Sequence, residues 1–380
     1  MNSLDGSDIL SRMSFPVNRK KTAQIRIGNV SIGGTAPVAV QSMTNTRTDD
    51  VDATVSQITR LEEAGCEIVR VAVPDEPSAQ AIRKIKPAIS IPLIADIHFN
   101  YRLAIAAVEA GADGLRINPG NIGSPRKIKA VADCARDSNV PIRVGVNSGS
   151  LEKDILEKYQ GATAEAMVES ALRNVDILKS FDFDSIKVSI KASDVPRTVE
   201  AYRLFSSKTD IPVHLGVTEA GGLFPGIVKS SLGIGMLLAE GIGDTIRVSL
   251  TRDPVEEIRV GYEILKALGI RRRGPDIISC PTCGRCNIDL FDIAEAVEKR
   301  VFTMTAPIKI AVMGCVVNGP GEAREADIGI AGGDGKGVLF RKGRVVETLP
   351  QEDLTRVLLR ELDDIESQYC EKKGREEENG

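Results

Sequence analysis

From residue 36 to about 268 the chain alternates short runs of β-branched residues with longer segments whose apolar residues recur at helical spacing. The runs at 38–41, 68–73, 93–96, 115–118, 142–147, 186–190, 213–217 and 246–250 predict eight strands. Between them, spacings such as Val55, Ile58, Leu61 and Leu172, Val175, Leu178 predict amphipathic helices. Strand and helix in strict alternation build a parallel sheet, and eight such pairs in about 230 residues predict an α/β fold that begins with a (β/α)8 TIM-type barrel. A doubly wound open sheet fits the same alternation, but no dinucleotide-binding glycine pattern follows the first strand.

Ahead of the first strand, residues 25–32 read as a hairpin turning at Gly28-Asn29, placed to plug the bottom of the barrel. Arg271-Arg272-Arg273-Gly274-Pro275 reads as a charged linker, so a barrel domain is predicted over 1–270 and a smaller α+β domain over 271–370. The second domain predicts a helix at 292–300, a strand at 308–312, hairpins around 332–337 and Lys342-Gly343, and a helix from about 351 to 369. Residues 371–380 are too polar to order themselves and are predicted to be a disordered tail.

Strands of a closed parallel barrel should be apolar throughout, yet five carry a cation among β-branched neighbours: Arg70, Arg116, Arg143, Lys187 and Arg247. The period of two places each on the face opposite its apolar neighbours, the face that also receives Asn118, Asn147, Ser189 and Ser249. Asp96 and His98 end the third strand, and Thr218 and Glu219 follow the seventh. An internal salt-bridge layer would account for one or two buried cations; five against about two acids predict a polyanionic ligand at the strand ends. Of the two histidines, His98 shares the face of Asp96 and is a site candidate, whereas His214 reads as a core residue.

Composition bounds the partners. A net charge of −4 gives no global attraction for nucleic acid or an anionic membrane, and aromatic residues suited to base stacking are scarce at 4%. No signal peptide opens the chain and no apolar run approaches the ~20 residues a bilayer needs, so a cytoplasmic protein is expected.

Five of the seven cysteines lie beyond residue 279. Four form one pattern: Cys280, Cys283 and Cys286 at CxxCxxC spacing, then Cys315 in Gly-Cys-Val-Val-Asn-Gly-Pro-Gly-Glu, ending at Glu322. Thiols in a tight turn with another returning from a distant loop suit an inorganic centre, and the spacing alone leaves zinc and an iron–sulfur cluster both open.

Together with Gln41-Ser42-Met43-Thr44-Asn45, Ala95-Asp96-Ile97-His98-Phe99, Arg116-Ile117-Asn118-Pro119-Gly120 and Gly216-Val217-Thr218-Glu219-Ala220-Gly221, these motifs make the chain resemble the 4-hydroxy-3-methylbut-2-enyl diphosphate synthase (GcpE) family. The likeness is to its compact two-domain bacterial form, and it covers nearly the whole chain. The resemblance implies reductive ring opening and dehydration of 2-C-methyl-D-erythritol 2,4-cyclodiphosphate in the non-mevalonate isoprenoid pathway. It implies a [4Fe–4S] cluster on Cys280, Cys283, Cys315 and Glu322, with Glu322 the replaceable ligand. By the same likeness the five barrel cations clamp the substrate, with Asp96, His98, Asn118, Asn147, Ser189, Thr218 and Ser249 around it and Asn318 reaching it from the cluster side. Glu219 would handle a proton. A homodimer with active sites shared between chains, and ferredoxin or flavodoxin as electron donor, are implied as well. Cys286 departs from many relatives and is expected to be a free thiol facing away, although a four-cysteine cluster is the other reading. The competing function is a barrel enzyme on a phosphorylated or pterin substrate with a structural zinc.

Overall fold

The computed structural model describes residues 17–283, 286, 288–315, 324–333 and 335–378, with side chains as far as 375. Its first elements are β1 (Ile25–Ile27) and β2 (Val30–Ile32), paired antiparallel with Ile25 opposite Ile32. Gly28 turns between them at φ 54, and a Cβ there would sit 3.0 Å from Pro92 Cγ, so glycine is needed for both conformation and space.

The next eight strands are β3 (Ala39–Met43), β4 (Ile68–Ala72), β5 (Leu93–Asp96), β6 (Gly114–Ile117), β7 (Ile142–Asn147), β8 (Ile186–Lys191), β9 (His214–Leu215) and β10 (Thr245–Ile246). They pair in parallel in the order β8-β7-β6-β5-β4-β3-β10-β9, and a bridge between Val188 and Val213 joins the two ends of that row, closing the barrel. A helix follows every strand, and most begin on a side-chain cap: Asp50, Asp75, Asn100, Thr163, Asp194 and Asp253 each accept from a first-turn amide.

The strands face two ways. In β7, Ile142, Val144 and Val146 point outward into the apolar layer beneath the helices, whereas Arg143, Gly145 and Asn147 point inward. In β8, Ile186, Val188 and Ile190 do the same opposite Lys187, Ser189 and Lys191. The interior is therefore polar where a barrel of this type is ordinarily apolar. Its floor is the exception: Ile25, Ile27 and Ile32 of the hairpin pack on Ala39, Ile68 and Ile94, at the starts of their strands.

The last two barrel strands are shorter than the sequence predicts. The Arg247 amide still donates to Leu215 O, and beyond it the chain leaves the ladder: the Leu250 amide donates to the Glu257 carboxylate at 3.1 Å and the Thr251 amide to Gly221. Two short helical turns that the sequence reading omitted, Pro119–Ile122 and Ser148–Ser150, follow β6 and β7.

The chain divides into two compact units, 1–271 and 272–380. In the second, β11 (Asp276–Ser279), β12 (Lys309–Met313) and β13 (Ile328–Gly332) run parallel, and β14 (Lys336–Arg341) and β15 (Arg344–Pro350) extend the sheet antiparallel. The predicted strand and both hairpins are present; β11, four residues between the linker and Cys280, was missed. Helices Leu290–Val301 and Leu354–Glu378 cover one face through Leu290, Ile293, Val297, Leu354, Leu358 and Leu362. The final helix runs well past the predicted end and takes in residues 371–378, which were expected to be disordered. Good helix formers and an Arg375–Glu371 pair one turn apart carry it without an apolar face. No helix among the described residues is long and apolar enough to cross a membrane.

Candidate active site

At the C-terminal ends of the barrel strands lies a polar cavity of about 190 Å³, lined by Arg70, Asp96, His98, Arg116, Arg143, Asn147, Ser189, Lys191, Thr218, Arg247 and Ser249. A groove of about 620 Å³ on the outside of the barrel is larger. There Arg173 pairs with Asp154 and Glu169 at the surface.

Strand register builds the small cavity. Asp96 lies beside Arg116, Arg116 beside Arg143, and Arg143 beside Lys187, so one acid and three cations occupy neighbouring inward positions on four successive strands. Asp96 accepts from Arg116 Nη1 at 3.2 Å and lies 3.6 Å from Arg70 Nε. Burial works against the charge on Asp96, but Arg70, Arg116 and Arg143 outweigh it and hold the carboxyl below its ordinary range. Arg247 is gripped by Glu257 through Nε at 3.1 Å and Nη2 at 3.2 Å, and Ser42 Oγ adds a hydrogen bond to the same carboxylate. The Met43 sulfur accepts from both Arg70 Nε, at 3.1 Å, and Arg247 Nη1, at 3.8 Å.

Three cations have no such answer. Arg143 is 2% exposed, and none of its three guanidinium nitrogens has a hydrogen-bond partner among the described residues. Lys191 and Lys187 are equally without a carboxylate in pairing distance there. Burial, followed by mutual repulsion, pushes Arg143, Lys187 and Lys191 well below their usual values and Arg70 to about 10. Two glycines make the crowding possible. A Cβ on Gly145 would collide with Arg116 Nε, and one on Gly216 would lie 2.7 Å from Lys191 Nζ.

Ten residues expected at the site meet in this cavity. Lys187 does not line it; it lies deeper, with Nζ 3.4 Å from Thr245 Oγ1. His214 shares that hydroxyl through Nδ1 at 2.8 Å, and burial among cations keeps its ring neutral. Asn118 is turned away as the cap of Pro119–Ile122, accepting from Gly120 N at 3.1 Å. Glu219 is exposed, outside the cavity lining, on a left-handed backbone at φ 52. The sequence reading missed Lys191, Glu257 and Met43. Lys191 continues the alternation Lys187, Ser189 and was open to inference; Glu257 sits in an ordinary amphipathic helix and carried no signal.

The cysteines gather at the ends of β11 and β12, which are parallel neighbours. Gly314 N donates to Cys280 Sγ at 3.1 Å. Cys286 Sγ donates to Ile288 O at 3.3 Å. The same sulfur packs on Gly314, whose chain neighbour is Cys315. Three cysteine residues thus meet around one glycine, and Cys283 is exposed next to them in sequence. Among the described residues no three His, Cys, Asp or Glu side chains stand close enough to hold one metal ion; Asn318 and Glu322 lie outside those residues. Thiols, one of them accepting an amide hydrogen bond, are the donor type an iron–sulfur centre takes.

Fold and site define a two-domain protein, a closed barrel with a cation-lined mouth followed by a separate sheet unit that carries the cysteines at its strand ends. Residues 22–262 match the GcpE TIM-barrel domain and residues 276–364 the GcpE protein C-terminal domain. The chain belongs to the GcpE family. Among curated relatives, the 4-hydroxy-3-methylbut-2-en-1-yl diphosphate synthase (flavodoxin) of Geobacter sulfurreducens is 59% identical over 347 residues, 91% of this chain and 98% of that protein. The protein of the same name from Desulfotalea psychrophila is 58% identical over 359 residues, 94% of this chain and 99% of that one. Among solved structures, dihydropteroate synthase from Xanthomonas albilineans in complex with 7,8-dihydropteroate is similar at TM-score 0.45 and 16% identity, over 63% of this chain and 98% of that one.

Proposed function

We propose that this chain is the iron–sulfur oxidoreductase that opens 2-C-methyl-D-erythritol 2,4-cyclodiphosphate to 4-hydroxy-3-methylbut-2-enyl diphosphate, taking up two electrons and two protons and releasing one water. Likeness at 55–59% identity to synthases of that name over most of the chain supports it. The single observation that carries the substrate class is the excess of buried cations in the barrel, with the Arg143 guanidinium unpartnered among the described residues. A diphosphate supplies the acceptors that Arg143 and Lys191 lack, beside Arg116 and Arg70. Arg247, already held by Glu257, presents a fixed guanidinium edge rather than a mobile one. His98, Asn147, Ser189, Thr218 and Ser249 offer the hydrogen bonds that orient the carbon skeleton.

A [4Fe–4S] cluster on Cys280, Cys283, Cys315 and Glu322 supplies electrons one at a time and a Lewis-acidic iron for the leaving oxygen. Asn318, four residues before Glu322 in the sequence, would contact the substrate from the cluster side. Glu219, on the loop past β9, handles a proton as water departs; Glu219→Gln is expected to lower kcat by about 100-fold or more with iron content unchanged. Flavodoxin, which the relatives' names carry, is the electron source, in a cytoplasmic homodimer with sites shared between chains. Mixing two inactive variants, Arg143→Ala and Cys280→Ser, then restores part of the activity; no recovery in verified mixed dimers would assign each site to one chain.

The test of the whole reading is anaerobic turnover of the cyclic diphosphate with a chemical reductant, alongside metal analysis. Brown protein with about four iron per chain and conversion to the allylic diphosphate is expected. Colourless protein with stoichiometric zinc and no conversion would sink it.

A further inference from the structure

The thiol that the cluster does not need is packed into the turn that holds it. Cys280 N donates to Val312 O at 3.3 Å, carrying the β11–β12 ladder one step further, and Gly314 N donates to Cys280 Sγ. Cys286 N donates to Cys283 O at 2.9 Å and closes the turn. Its Sγ, anchored on Ile288 O, then lies against the Cα of Gly314: a Cβ built there would be 2.5 Å from that sulfur and 3.3 Å from Leu290 Cδ2. On the other side, a Cβ on Gly332 would lie 3.0 Å from Gly314 O. Gly314 is thus packed closely against the Cys286 sulfur and near Gly332 at the end of β13, with its amide on Cys280 Sγ.

We infer that Cys286 is a positioning residue: its sulfur wedges the turn against Gly314 and keeps the Gly314 amide on the Cys280 sulfur, and through that hydrogen bond it sets the reduction potential of the cluster. The electronic part rests on the iron–sulfur reading above; the wedge does not. A donor on a ligating sulfur draws off negative charge and makes the centre easier to reduce, so losing the wedge lowers the potential. Alanine leaves the space empty. Serine reaches less far and fills it incompletely, and a methyl on Gly314 pushes the sulfur out.

Two measurements on the full chain test this separately. First, redox titration of anaerobically reconstituted wild type, Cys286→Ala and Cys286→Ser should show equal iron content and a midpoint potential lower in both variants, more so in Cys286→Ala. Unchanged potential at full iron overturns the positioning role, and lost iron in Cys286→Ser makes the residue a ligand instead. Second, alkylation of iron-free protein, read by mass spectrometry, should label Cys286 about tenfold more slowly than exposed Cys283, with Gly314→Ala removing the protection. Equal rates in the wild type overturn the wedge whatever the metal. Protection without any iron uptake overturns the iron–sulfur reading and the electronic half of the inference, and leaves the wedge supported.

Discussion

Arg143 is held in an arrangement that costs the ligand-free protein stability: a guanidinium 2% exposed, flanked by Arg116 and Lys187 in register and given no acceptor among the described residues. Exchanging it for an apolar side chain of similar length should stabilise the ligand-free chain by about 1–3 kcal/mol, on the scale found when buried charge gives way to packing. The same Arg143→Met change should weaken the cyclic diphosphate by about 2–5 kcal/mol, roughly thirtyfold or more. Thermal melts with and without ligand check both halves, and a lower melting point with unchanged affinity would make the residue structural. Gly145→Ala acts on its neighbour. The new methyl displaces Arg116 from Asp96, and overpacking costs about 1–3 kcal/mol in stability or affinity; equal melting and equal binding would refute the close approach. These cations were legible in the sequence because a charge inside a β-branched run has no cheap structural explanation. Glu257 was not legible, because beside Glu256 on an amphipathic helix it looks like any solvated acid until Arg247 and Ser42 are seen to converge on it.

At the scale of elements, the period of two does more than count strands. It separates the outward apolar layer from the inward polar one, so the same pattern that predicts the barrel also predicts which ends of it can bind. It failed at β9 and β10: Val217 after β9, and Val248 and Leu250 after β10, continue the apolar alternation beyond the paired residues, and past β10 the backbone turns to Glu257 and Gly221 instead. The pattern records side-chain burial, and burial persists there without pairing. The hairpin β1–β2 divides stability from binding along the barrel axis. Ile27, 1% exposed, packs on the floor with Ile68 and Ile94, whereas the cavity opens where the strands end. Ile27→Ala should therefore cost about 2–5 kcal/mol of stability and leave the affinity for the cyclic diphosphate within about twofold. Denaturant unfolding beside a binding titration decides it; weakened binding in the folded variant would mean that the floor also shapes the site.

At the scale of the molecule, the cations lie in the first compact unit and the clustered thiols in the second, so binding and reduction should be separable. Cys280→Ser should lose iron and turnover while still binding the cyclic diphosphate; loss of both would tie the barrel's integrity to the metal. The charge excess also gives the ligand-free barrel a pH dependence of one sign. Lys187 and Lys191 titrate far below their unfolded value of about 10.5, so between those limits the unfolded chain binds more protons and stability rises with pH. Asp96, depressed below 3.8, adds to the same slope: its contribution is present above its unfolded value and is lost as the pH falls through its folded one. A diphosphate seated among the cations reverses the lysines' situation. By pairing with Lys191 and neutralising the field at Lys187 it raises both values, so binding must take up protons. Calorimetric titration near pH 8 in two buffers of different ionisation enthalpy reads this uptake directly. Uptake that shrinks in Lys191→Met places it at the cavity; no uptake at all would mean that the lysines are already charged in the free protein, and that the excess of cations is answered by something other than the ligand.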